Sequence, residues 1–140
     1  MDDLFFIANK NNILIEYHYF PENILGLYYK NDLLPPVIGL NKSLLYNPKL
    51  HNCVLGEELG HHFTSSGNHL YKTTYQDKLI IGKDEYKAMA WACNYLISND
   101  ILRSLINKGY TEYEICDYFK VTHEFLKYKF YFLRCKEVAI

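Results

Sequence analysis

Ile13 to Phe20 alternates, with Ile13, Ile15, Tyr17 and Tyr19 on one side and Leu14, Glu16, His18 and Phe20 on the other, which is the period-two pattern of a strand. Pro21-Glu22-Asn23 supplies a turn. Ile24 to Lys30, rich in leucine and tyrosine, reads as a second strand, which Asn31-Asp32 and Pro35-Pro36 break before a third from Val37 to Asn41. Ahead of these strands, Asp2 or Asp3 can cap a short helix to about Lys10 that Asn11-Asn12 ends. Behind them, apolar positions run all the way round the segment from Asn47-Pro48 to Thr64, as in a helix buried on every side. After Ser65-Ser66-Gly67 a stretch to Lys83 is polar apart from Leu79-Ile80-Ile81 and reads as a long loop, either a functional flap or partly disordered. A helix then starts near Asp84-Glu85, with Ala88, Ala92 and Leu96 in one row. The chain stays helical from Asp100 to Lys108, closed by Gly109, from Thr111 to Phe119, and from Thr122 to about Glu137. The expected class is α+β: a small three-stranded antiparallel meander packed on the helix over 47–64, followed by a helical C-terminal half. A single domain is expected, with a helix and strands in 1–46, the two central helices and their loop in 47–98, and further helices in 99–140.

Composition narrows the classes. A chain of 140 residues and 16.6 kDa suffices for one packed domain. A net charge of -1 and a pI near 6.6 offer no broad attraction to nucleic acid or to an anionic membrane, so neither partner is expected. Met1-Asp2-Asp3 is acidic where a secretory signal is basic, and no apolar run approaches the ~20 residues of a membrane span, so a soluble cytoplasmic protein is expected. Cys53, Cys93, Cys116 and Cys135 form no Cys-x-x-Cys and fall among apolar neighbours, as buried reduced thiols do.

The chemistry concentrates in Cys53-Val54-Leu55-Gly56-Glu57-Glu58-Leu59-Gly60-His61-His62. Two carboxylates and two imidazoles lie inside a segment patterned for burial, where unpaired charge is costly. Glu57 and His61 are four apart and stack on one helix face, with Glu58 about a quarter-turn away. This is the layout of the zinc-protease motif H-E-x-x-H with glutamate at its first histidine. Zinc accepts carboxylate oxygen as well as imidazole nitrogen. Glu57, His61 and Glu85 can therefore make a ligand set, with Glu58 as general base. Two glutamates and one neutral histidine around Zn2+ sum to zero formal charge, one unit below the motif's usual two histidines and one glutamate. The expectation is a slower zinc hydrolase, or a preference for Mn2+ or Fe2+. Glu58 with His62 offers the same spacing, His51 and His69 are spare donors, and a solvated polar helix end accounts for the residues without any metal.

These segments resemble the ImmA/IrrE family of metallopeptidases, known mainly as mobile-element anti-repressors and stress-response regulators. The resemblance rests on Val37-Ile38-Gly39-Leu40-Asn41 leading into the segment from Cys53 to Gly67, and on Glu85 to Ser98, which is similar to the family's E-x-x-A-x-x-x-A-x-x-L-L-M-P. It departs from the pattern at Glu57 and at Ser98, which stands in the place of the proline. The resemblance implies a zincin-like fold, Glu58 as catalytic base, His61 and Glu85 as metal ligands beside Glu57, and substrate added as a strand near Val37 to Leu40. It also implies a helix-turn-helix transcriptional repressor as the protein substrate. Two rivals stand beside this reading. A module of the same fold can bind a repressor without cutting it. Thr111 to Lys129 can also be read as a DNA-binding helix-turn-helix, although Phe125, Tyr128, Phe130, Tyr131 and Phe132 leave its second helix little free surface, and Lys127, Lys129, Arg134 and Lys136 read as a solvated face.

Overall fold

The structure, a computed structural model, describes residues 3–65, 69–74 and 82–138. Helix α1 (Leu4–Lys10) is capped by Asp3, whose side chain accepts from the Phe5 amide at 2.7 Å, and it lays Leu4 and Ala8 into the core. Strands β1 (Leu14–His18), β2 (Ile24–Lys30) and β3 (Val37–Asn41) follow. A 3-10 turn over Lys42–Tyr46 leads into α2 (Pro48–Thr64), where Pro48 opens the first turn and the Asn47 side chain accepts from the Leu50 amide. After β4 (His69–Thr74) come α3 (Lys83–Leu96), α4 (Asn99–Asn107), α5 (Glu112–Phe119) and α6 (His123–Val138). The fold is α+β, with the sheet on α2 and a helical C-terminal half, as the sequence pattern implies.

Two features of the sheet differ from that expectation. The strand order is β1-β3-β2-β4, with β1 and β3 parallel and β2 antiparallel to both β3 and β4. Among the described residues it is therefore a mixed four-stranded sheet, where a three-stranded antiparallel meander was expected. The connection from β1 to β2 crosses the end of β3, and the buried Asn41 amide pins it by donating to the carbonyls of Phe20, Pro21 and Ile24 at 3.2, 3.3 and 2.9 Å. Alternation tells which side chains share a face and is silent on which strand lies alongside. The second correction is β4, which lies within the stretch read as a loop; Leu79-Ile80-Ile81 of that stretch falls outside the described residues.

β3 is flanked by β1 and β2, so its backbone has no free edge for an added strand, and the expectation that it receives substrate fails on that ground. Within the described sheet the edges are β1 and β4. Tyr28, Ile38 and Leu40 are fully buried beneath it.

Nine consecutive residues of α2, Cys53 to His61, are buried. The sheet covers one side and α3 the other. A Cβ on Gly26 of β2 would lie 3.0 Å from Val54 Cγ1, so the strand backbone rests directly on α2. On the opposite side a Cβ on Gly60 would meet the Ala88 carbonyl oxygen at 2.2 Å, and one on Gly56 would meet Leu96 Cδ1 at 3.1 Å. The two glycines and the row Ala88, Ala92, Leu96 thus set an antiparallel crossing of α2 and α3 at backbone contact.

Ser98, standing in the proline's place, caps α4 by accepting from the Ile101 amide. Thr111 and Glu114 form a reciprocal capping box on α5. Cys53, Cys93 and Cys116 are buried free thiols and Cys135 is half-buried. No helix among the described residues is long and apolar enough to cross a membrane.

Candidate metal and general-base centre on helix α2

Adjacent glutamates on a helix diverge by about 100°, and on α2 this sends Glu57 and Glu58 to different neighbours. The stripe Val54, Glu58, His62 faces the sheet. Glu58 is fully buried, and a Cβ on Gly26 would stand 3.1 Å from its Oε1, so the glycine keeps the space that the carboxylate fills. His62, half-buried, shares a 2.8 Å hydrogen bond between its Nδ1 and the Tyr28 hydroxyl. Burial and the nearby Lys30 cation hold His62 below the usual histidine range.

Cys53 and Glu57, on the neighbouring stripe that continues to His61, turn toward the helical half. Cys53 Sγ lies 3.9 Å from Thr122 Oγ1 at the head of α6. Glu57 is 6% exposed and His61 1%, so both sequence-predicted donors lie inside the protein one turn apart. Glu57 acts electrostatically on the thiols of Cys53 and Cys93, but burial is the main cause that raises both, Cys53 to about 12. These thiols stay protonated near neutrality and belong to the packing.

Glu85, the third expected ligand, lies in the first turn of α3. Its carboxylate folds back over Gly82, where an added Cβ would fall 2.6 Å from Oε2. Among the described residues, no three His, Cys, Asp or Glu side chains gather closely enough to share one ion. The donor types suit zinc, and α2 supplies two of them, Glu57 and His61, one turn apart on a single helix.

The spare histidines separate readily. His51 is held by the Tyr17 hydroxyl at 2.7 Å and by the Phe5 ring, and burial lowers its pKa. The side chain of His69 lies outside the described part of the structure.

One residue of this region was misread from the sequence. Lys129, expected on a solvated face, is 1% exposed and donates from Nζ to Asn94 Oδ1 at 3.4 Å. The signal was present: Lys129 sits four residues after Phe125 and three before Phe132, on the same buried face of α6. Lys127 and Arg134 are exposed as expected, and the Lys136 side chain lies outside the described part.

No curated protein and no solved structure matches the chain. The model of the peptidase M78 family, described as the IrrE N-terminal-like domain, matches residues 8–131, which takes in β1 to β4, α2 with Glu57, Glu58 and His61, and α3 with Glu85. With nearly its whole length matched and the motif helix buried at its centre, this chain belongs to the peptidase M78 family of IrrE N-terminal-like domains.

Proposed function

We propose that this protein is a metal-dependent endopeptidase whose substrate is a helix-turn-helix transcriptional repressor, and that Glu58 is its general base. The observation that carries the reading is the burial of Glu57, Glu58 and His61 in consecutive turns of one helix, within a domain of a zinc metallopeptidase family. Charged groups of this kind are kept inside proteins chiefly when an ion or a reaction needs them there. Glu57, His61 and Glu85 would hold the metal, as zinc or as Mn2+ or Fe2+. When bound, zinc supplies Lewis acidity that polarises a peptide carbonyl. Glu58 takes a proton from the attacking water and hands it to the departing amine, a carboxylate's ordinary service in such sites. Its seat against Gly26 fixes the carboxylate's position. β4, at the edge of the described sheet and in contact with α2, is the strand against which an extended peptide would add.

A second reading, a module of the same fold that binds the repressor without cutting it, is favoured by Glu57, a carboxylate standing where the H-E-x-x-H motif has its first histidine. One experiment separates the two. The protein, loaded with zinc, is incubated with purified helix-turn-helix repressors from the same genome, and products are followed by mass spectrometry. Cleavage that disappears in Glu58→Gln while zinc content is kept supports the peptidase. Stable complex formation with no product supports the binding module, and neither binding nor cleavage refutes both.

A further inference from the structure

The burial of Lys129 calls for an account, because an ammonium inside a protein needs an opposite charge close by. The helix arrangement identifies which one. α2 and α3 run antiparallel, with Gly60 level with Ala88 and Gly56 level with Ala92 and Leu96. α3 and α6 are antiparallel as well, since Cys93 Sγ approaches the Phe125 carbonyl, Asn94 meets Lys129, and the Tyr86 and Phe132 rings touch at 5.0 Å. Tyr86, Ala90, Asn94, Lys129 and Phe132 line one cleft of about 290 Å3 between α3 and α6. α2 and α6 are therefore parallel, and Cys53 beside Thr122 sets their register. Counted from that register, Lys129 starts about three residues, roughly 4.5 Å, further along than Glu57, an offset that a lysine side chain leaning toward its helix N-terminus spans, and the fully buried Cys93 adjoins both. The Cys93 thiol feels both charges, Lys129 favouring its anion and Glu57 opposing it. Neither Glu57 nor Lys129 is left without a partner. Glu58, the other buried acid of α2, is turned to the sheet and lies against Gly26.

We infer that Lys129 is the standing counter-charge of Glu57, an ion pair joining α6 to the motif helix and making the Glu57 position electrically equivalent to the neutral histidine that H-E-x-x-H has there. The arithmetic is direct. Glu57, Glu85, neutral His61 and a divalent ion sum to zero, and the Lys129 ammonium restores the single positive charge of two histidines, one glutamate and the ion. Lys129 is a positioning residue: it acts through Glu57 and holds that carboxylate at the junction of α2, α3 and α6. The pair itself stands in either reading of the function, while its effect on a metal rests on the peptidase reading.

The test is a double-mutant cycle on the full-length, metal-free chain, read by urea denaturation: wild type, Glu57→Gln, Lys129→Met and the double variant. Removing either charge alone strands the other, and the folded-to-unfolded ratio is expected to fall by about a hundredfold or more in each single variant, with most of that loss recovered in the double. Losses that simply add, or a Lys129→Met protein as stable as wild type, overturn the inference. Should neither single variant fold, a folded double variant supports the pair and an unfolded one overturns it. Zinc titration of Glu57→His and Glu57→His with Lys129→Met adds a separate reading. The second is expected to bind zinc at least tenfold more tightly, because the first keeps an uncompensated cation beside the ion. A coupled pair whose histidine variants bind no zinc sinks the peptidase reading and leaves the ion pair standing.

Discussion

The crossing of α2 and α3 makes Gly60→Ala a sharp probe of how the site is held. A Cβ at this position would stand 2.2 Å from the Ala88 carbonyl oxygen, 2.8 Å from its carbonyl carbon and 2.9 Å from its Cα, all of them backbone atoms that no rotamer change can move. Restoring an ordinary contact requires the helices to part by about 1 Å, and gaps of that size forfeit a quarter to a half of each dispersion contact along the seam. Overpacking costs about 1–3 kcal/mol, and a rigid obstacle belongs at the upper end of that range. Against this, alanine in place of glycine inside a helix contributes about 1 kcal/mol. The net expectation is a loss of about 2 kcal/mol, which for a chain of this length corresponds to a melting temperature lower by roughly 6–8 °C. Gly56→Ala is the control. Its Cβ would meet Leu96 Cδ1 at 3.1 Å and Ala92 Cβ at 3.4 Å, and the leucine methyl can turn away, so the clash and the helix preference nearly cancel. Thermal denaturation of both variants decides the matter. A Gly60→Ala protein as stable as wild type, or equal losses in the two variants, would refute the account of the crossing.

Gly26→Ala puts a methyl group 3.1 Å from Glu58 Oε1, so repressor cleavage should fall at least tenfold with a stability loss of only about 1 kcal/mol; cleavage at the wild-type rate would remove Glu58 from its role. Burial raises the Cys53 thiol from 9.0 to about 12 and also raises Cys93, so above pH 9 the unfolded chain releases protons that the folded one retains. Stability is then complete below pH 9 and falls between pH 9 and 12, by about 1.4 kcal/mol per pH unit for each such thiol. Urea midpoints that stay level from pH 8 to 10.5 would contradict this, and so would a thiol reagent that labels Cys53 before Cys135 in the native protein at pH 8. Thr111→Ala removes one half of the capping box on α5 and should cost about 1 kcal/mol, recoverable with Ser at the same position; a serine variant no better than alanine would dismiss the cap.

Much of this protein was already determined by its sequence. Period-two alternation marked β1, and the bounds of β2 and β3 agree with those read from residue pattern and turn chemistry, because side-chain spacing and breakers such as Pro35-Pro36 act locally. The all-round apolar character of α2 announced its burial, and the four-residue spacing of Glu57 and His61 placed them on one stripe. The tertiary structure decided what lies across from each face. It alone put β3 between β1 and β2, set β4 at an edge of the described sheet, and sent Glu57 toward the helices while Glu58 went to the sheet. Lys129 is the clearest case: its place in an aromatic stripe was visible, yet lysine belongs on a solvated face unless a distant carboxylate is brought within its reach, and that depends on how α2, α3 and α6 pack. Periodicity reports the face a side chain occupies; the partner on that face is set by contacts between segments dozens of residues apart, which no local pattern encodes.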